Sequence, residues 1–129
     1  MTRAPGFWFT CTYDRRVTDC LFCRIVAGQV PATVVHETAR TLAFRDVGPQ
    51  APTHVLVIPK DHFATTAALA GHDPLYAGEV LAAACAVAAA EGLTGGYRLV
   101  TNSGPDAGQS VDHVHVHVLG GRALSWPPG

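Results

Sequence analysis

The chain has 129 residues, 48% of them hydrophobic and 15% charged, with a formal net charge of −1. That length suits one compact domain, and the composition excludes a disordered chain. The near-neutral charge offers no basic field for nucleic acid and no polybasic cluster for an anionic membrane.

In chain order, residues 1–18 show no clear period and read as an N-terminal extension ahead of a domain over 19–129. They carry Arg15 and Arg16 but lack the charge, apolar and cleavage order of a signal peptide. The longest apolar run, Val80 to Ala90, is shorter than the ~20 residues of a membrane span. The expected location is therefore the cytoplasm. Cys11, Cys20, Cys23 and Cys85 are then expected as thiols or metal ligands rather than a disulfide frame.

Around Cys20-Leu-Phe-Cys23, apolar residues Leu21, Phe22, Ile25 and Val26 fall at helical spacing, and Gly28 and Pro31 end a short helix. Thr33–Glu37 and Thr41–Arg45 are rich in strand formers and predict a hairpin. The prolines in Gly48-Pro-Gln-Ala-Pro52 predict a loop, and His54–Ile58 a third strand ended by Pro59. Asp73 and Pro74 form a natural helix start, so one long helix is expected from Pro74 to Glu91, closed by Gly92. Tyr97–Asn102 reads as a strand, Gly104–Gly108 as a glycine-rich loop and Val111–Leu119 as the last strand. The fold class is α+β, a mostly antiparallel five-stranded sheet with one long helix and a short N-terminal one.

The last strand carries the chemistry. Alternation puts His113, His115 and His117 on one face and Val114, Val116 and Val118 on the other. The valines suit a core, while three imidazoles in a row mark a polar site. Two chemistries use such a row: metal ligation by neutral imidazole, and covalent catalysis by an imidazole that attacks phosphorus. The loop before it, Gly104 to Ser110, is small enough to turn N–H groups toward an anion. Cys20-x-x-Cys23 has metal-ligand spacing, but one pair supplies two ligands only. On its own it reads equally as two small buried residues. Cys85 reads as core, His36 and His72 as surface or loop residues, and Lys60 and Arg122 as solvated cations.

His113-Val-His115-Val-His117-Val-Leu119 resembles the signature of the histidine triad family, His-φ-His-φ-His-φ-φ with φ apolar. Cys20-Leu-Phe-Cys23, Pro49-Gln-Ala-Pro-Thr-His54, Leu56-Val-Ile-Pro-Lys60, Gly108-Gln-Ser110, Leu119-Gly-Gly-Arg122 and Trp126-Pro-Pro-Gly129 resemble the Hint branch of that family, over about residues 19–129. The resemblance implies a homodimeric purine nucleotide-binding hydrolase that cleaves phosphoramidates such as adenosine monophosphoramidate. By position, His115 is the implied nucleophile, His117 serves the phosphate, Ser110 assists the leaving amine and His54 supports His115. Asn102, Gly108 and Gln109 lie by the phosphate. Asp46 holds the ribose hydroxyls, and Phe22, Ile25, Phe44 and Val47 line the base pocket. The resemblance also implies a structural zinc on Cys20, Cys23, His62 and His113, which leaves the chemical step without a metal. The Trp126 tail is implied to reach the partner subunit's site. Asp112 departs from the branch, which usually carries an aromatic there. Two other readings are a dinucleoside polyphosphate hydrolase of the related Fhit branch and a non-catalytic nucleotide- or zinc-binding regulatory module. Ser110 and the tail argue against the first, and the intact His115 against the second.

Overall fold

The computed structural model describes residues 19–129. The N-terminal extension, with Cys11, Arg15 and Arg16, lies outside the described residues. Helix α1 spans Leu21–Val26, followed by strands β1 (Val34–Glu37), β2 (Thr41–Arg45) and β3 (Thr53–Pro59). Helices α2 (Thr66–His72) and α3 (Pro74–Ala90) lead to β4 (Tyr97–Val100), a short 3₁₀ turn (Pro105–Ala107) and β5 (Val116–Gly120). The five strands form one sheet in the order β1-β2-β3-β5-β4, and every pairing in it is antiparallel.

The sheet separates two apolar layers, as period-2 strands require. On one face Ala43, Val55, Val57, Val114, Val116 and Val118 pack against Tyr76, Val80, Ala84 and Val87 of α3. On the other, Leu42, Phe44, Leu56 and Ile58 pack against Phe22, Cys20 and Cys23 around α1. Helix α3 starts where expected: the Asp73 side chain accepts the Tyr76 N–H at 3.1 Å, with Pro74 in the first turn. Past its end, Gly92 takes φ +72°, a conformation that favours glycine.

Four expectations need correction here. Helix α2 was not anticipated; Thr65 caps it by accepting the Ala68 N–H at 3.2 Å, and its last residue is the exposed His72. Cys85 is exposed rather than core, because the buried stripe of α3 runs through Val80, Ala83, Ala84, Val87 and Ala88 and passes it by. Lys60 is 3% exposed rather than solvated, and its Nζ donates to Glu37 at 2.6 Å. The last strand begins at Val116 rather than Val111. There the His113 carbonyl accepts a hydrogen bond from the His115 ring at 2.8 Å, so it is taken from the ladder. Smaller differences are at strand ends: β1 starts one residue later, β3 extends to Thr53 and Pro59, and β4 stops at Val100.

Candidate active site

The three histidines share the face of the sheet opposite α3, yet each meets a different neighbour. His113 is 0% exposed and His115 5% exposed, while His117, in β5, is half-buried.

His113 belongs to a cluster with Cys20, Cys23 and His62, whose ligand atoms all lie within 4.8 Å of one another. Helix α1 supplies both sulfurs, because Cys20 caps it and Cys23 follows one turn later. His113 Nδ1 is 3.4 Å from Cys20 Sγ and 3.5 Å from Cys23 Sγ, and His62 Nδ1 is 3.5 Å from Cys23 Sγ. Zinc bonds of about 2.3 Å to sulfur and 2.0–2.1 Å to nitrogen, at tetrahedral angles, put S and N about 3.6 Å apart. The donor set fits a closed structural zinc site in number, type and spacing. The tautomer fits too. His113 Nε2 is 2.8 Å from the Pro59 carbonyl, which only accepts, so Nε2 carries the proton and Nδ1 offers its lone pair to the cluster. The Cys20 thiol is pushed down to about 2, first by its hydrogen bond with Cys23 and then by the neighbouring His113 and His62, against the effect of burial. A thiolate is the form a metal binds.

His115 is oriented in the opposite sense. Its Nδ1 is 2.8 Å from the His113 carbonyl, so the proton sits on Nδ1 and the lone pair on Nε2. The Phe22 ring packs edge-on against it, with centroids 5.1 Å apart.

His117 and His54 form a directed chain. They are diagonal neighbours across the β3–β5 ladder, in which Leu56 pairs with His117 and His54 with Leu119. The Gln50 backbone N–H donates to His54 Nδ1 at 3.0 Å, so neutral His54 carries its proton on Nε2. That nitrogen lies 2.8 Å from His117 Nδ1. His54 Nε2–H therefore donates to His117, and His117 holds its own proton on Nε2. The resemblance implied that His54 supports His115; the geometry puts its hydrogen bond on His117. Asp46 Oδ2 lies 3.4 Å from the same His54 nitrogen.

Protonating His117 on Nδ1 would destroy this bond. Its pKa is pushed down to about 4, by burial first and then by the charges of His115 and His54. His54 is likewise lowered, mainly by burial, with Asp46 opposing. Between the ordinary value of about 6.5 and about 4, the unfolded chain thus binds a proton at His117 that the folded chain refuses, and His54 acts in the same direction. Stability from these groups is complete above about 6.5 and falls as pH drops toward about 4. Urea midpoints measured across this window are expected to fall with pH, and His117→Gln to flatten that slope. An unchanged slope in the variant would refute the assignment.

Two cavities flank α1, and Leu21 lines both. The first, about 430 Å³, is lined by Phe22, Ile25, Phe44, Val47 and Leu56, with Asp46 at its polar side. All five residues expected to hold the nucleoside meet there. Leu21, Pro31–Thr33, Arg45 and Leu56 were missed; Leu56 was legible as the partner of Phe44 across β2 and β3. The second cavity, about 520 Å³, contains Ser110 with Asp19, His62 and Asp112. Ser110 is therefore not on the lining of the Asp46 cavity. Asp112 is exposed before β5 begins, which explains a carboxylate at that position. Asn102 is half-buried just beyond β4.

Gln109 is engaged by the protein itself. Its Oε1 accepts the Gly104 N–H at 2.8 Å, and its Nε2 donates to the Ala64 and Val111 carbonyls at 2.7 and 3.0 Å. The Gly108 and Gln109 N–H groups bond to the Pro105 and Gly104 carbonyls. The side chain of Gln109 thus shapes the loop, and these two amides are already satisfied. Arg122 donates to the Gln50 carbonyl at 2.9 Å, which steadies the residue whose N–H fixes His54. Trp126 is 80% exposed.

A family model described as the HIT domain matches residues 27–124. The chain belongs to the HIT domain family. Within that family it is 50% identical over 111 residues to an uncharacterized HIT-like protein of Synechococcus elongatus, covering 86% of this chain and 97% of that one. It is 48% identical to the 14 kDa zinc-binding protein of Zea mays, covering 89% of this chain and 93% of the relative. The crystal structure of a HIT family hydrolase from Legionella pneumophila superposes with a TM-score of 0.82 at 52% identity, over 85% of this chain and 99% of that one. The five-stranded antiparallel sheet with its helices is thus the HIT fold. No described helix is long and apolar enough to cross a membrane.

Proposed function

We propose that this HIT protein hydrolyses purine nucleoside phosphoramidates through a nucleotidyl-His115 intermediate, in the manner of the Hint branch. The observation that carries the reading is the state of His115, a buried imidazole whose Nδ1–H is held by a carbonyl and whose Nε2 keeps its lone pair. The apolar cavity with Asp46 at its polar side supports a nucleoside as the bound group. The name of the Legionella neighbour supports hydrolysis.

In this reading His115 Nε2 attacks phosphorus, the P–N bond breaks, and the amine departs with a proton relayed from solvent through the Ser110 hydroxyl. Water then attacks the same phosphorus, the bond to His115 breaks, and the 5′-nucleotide leaves. His117, kept neutral by its bond from His54, donates Nε2–H to a phosphate oxygen and steadies its growing charge. Ser110 serves the amine side, and Asn102 the phosphate. Zinc on Cys20, Cys23, His62 and His113 would hold α1 against the strand and leaves His115 as the nucleophile; the name of the maize relative supports it. The reading includes a homodimer, supported by the edge position of β4 and by the exposed Tyr97 on it, with the Trp126 tail reaching the partner.

The test is turnover of adenosine monophosphoramidate beside diadenosine polyphosphates, with protein quenched in alkaline denaturant weighed for a covalent nucleotide and its native mass in solution taken alongside. Faster phosphoramidate turnover with a trapped adduct is expected. Faster cleavage of the dinucleotides would move the chain to the other branch, and no turnover of either would end the enzymatic reading. A monomer mass would remove the dimer.

A further inference from the structure

We propose that Tyr76 is a positioning residue for the metal site: its hydroxyl holds Asp61, and Asp61 sets where His62 presents its ring to Cys20, Cys23 and His113. The inference rests on the zinc reading above. It concerns what keeps His62, the one ligand outside α1 and the histidine row, in register with the others.

His62 is carried by the loop between β3 and α2, so neither a ladder nor a helix fixes it. The residues on either side of it are fixed instead. After it, the Phe63 carbonyl accepts the Val114 N–H at 2.8 Å, which ties that side of the loop to the residue next to His113. Before it, the Asp61 N–H donates to the Tyr76 hydroxyl at 3.1 Å, and the same hydroxyl lies 2.8 Å from Asp61 Oδ2. Tyr76 thus grips Asp61 by backbone and side chain together. One residue further on, His62 Nδ1 lies 3.5 Å from Cys23 Sγ, and the His62 and His113 rings meet edge-on at 5.1 Å.

The tyrosine is itself held firmly. It is 2% exposed, in the first turn of α3, within the apolar layer on the far side of the sheet from α1. Its ring packs edge-on against Phe63 at 6.0 Å and under the Arg40 guanidinium, 3.9 Å from the ring centre. Arg40 is in turn paired with Asp73 at 3.1 Å and Glu79 at 2.6 Å. The one hydroxyl hydrogen is shared between Asp61 Oδ2 and the Arg40 carbonyl, also 2.8 Å away. That carbonyl accepts the Lys60 N–H at 2.8 Å as well. Phenylalanine would fill this core equally well. A buried hydroxyl is kept where its bonds are made, and here they run to the base of the loop that carries His62.

In Tyr76→Phe the Asp61 N–H loses this acceptor, and the loop gains freedom that zinc must remove on binding. Partners behind the ligands are worth about 10- to 100-fold in metal affinity. Tyr76 acts one residue away from the ligand, so a rise in zinc Kd of about tenfold, the low end of that range, is expected.

Zinc affinity is measured by competition with a chromophoric chelator on the full-length protein, for wild type, Tyr76→Phe, His62→Ala and the double variant. Tyr76→Phe should weaken binding when His62 is present and add nothing once it is gone, since the path runs through that ring. Cobalt in place of zinc reads the same site by its spectrum, and weaker tetrahedral bands are expected in Tyr76→Phe. Equal affinity and spectrum in Tyr76→Phe and wild type, or the same loss with and without His62, would overturn the inference and leave the zinc reading standing. Asp61→Ala, at a half-buried loop position, removes the side-chain part of the grip without touching the core. It should weaken zinc in the same direction, and wild-type affinity there would overturn the inference too. Wild-type protein that binds no zinc would end the zinc reading and the inference with it.

Discussion

His115→Ala is expected to lower phosphoramidate turnover by roughly 10⁴- to 10⁶-fold, the scale on which covalent catalysts lose rate with their nucleophile. The magnitude follows from what His115 alone supplies. Among the three histidines, His113 offers its lone pair to the sulfur cluster and His117 is committed to accepting on Nδ1 from His54. Only His115 keeps a basic nitrogen free of a hydrogen bond within the described residues, because a carbonyl holds its proton on the other side. An alanine cannot form the intermediate, and water would have to attack the phosphoramidate directly. Affinity for a nucleotide should change far less, since the lining residues of the apolar cavity stay in place. A thermal melt checks that the variant folds, and a ligand titration checks that it binds. Near-normal turnover in a folded, ligand-binding variant would disprove the nucleophile assignment.

Stripping zinc is expected to lower the melting temperature by roughly 15 °C. A metal present at 1,000 times its Kd stabilises a fold by about 4 kcal/mol, and each kcal/mol is worth about 4 °C in a domain of this size. The ligands come from three separated segments: α1, the loop after β3 and the residues before β5. Losing the ion would release α1 from the sheet and loosen the wall that Phe22 forms beside His115. Activity should therefore fall together with stability, although in the proposed mechanism the chemical step uses no metal. Elemental analysis of protein purified without chelator should find about one zinc per chain. A zinc-free preparation that melts at the same temperature after zinc is added back would remove the site.

Much of this was legible along the chain because period and spacing are local properties. The alternation of histidine and valine from His113 to Val118 gave the two faces, and Asp73-Pro74 gave the start of α3. The lining Phe22, Ile25, Phe44, Asp46 and Val47 came from resemblance, and the fold brings them together. What escaped is set by contacts distant in sequence. That Lys60 would be buried depended on Glu37 reaching it from β1. That His54 would serve His117 depended on the strand register between β3 and β5. The late start of β5 depended on a ring bonding the backbone two residues away, which no strand propensity anticipates. Helix α2 is short, and its start rested on one threonine cap.

The strict two-residue alternation between His113 and Val118 also bears on how this segment can evolve. Substitutions on the valine side alter packing, and those on the histidine side alter chemistry, so each can drift without the other. A one-residue insertion or deletion has no such freedom. It exchanges the faces of every residue beyond it, turning imidazoles into the layer under α3 and valines toward the face that carries His54 and Phe22. Lineages that keep the activity should therefore vary this stretch by replacement while holding its length constant, and should accommodate length changes in the loop over Gly104–Ser110 instead.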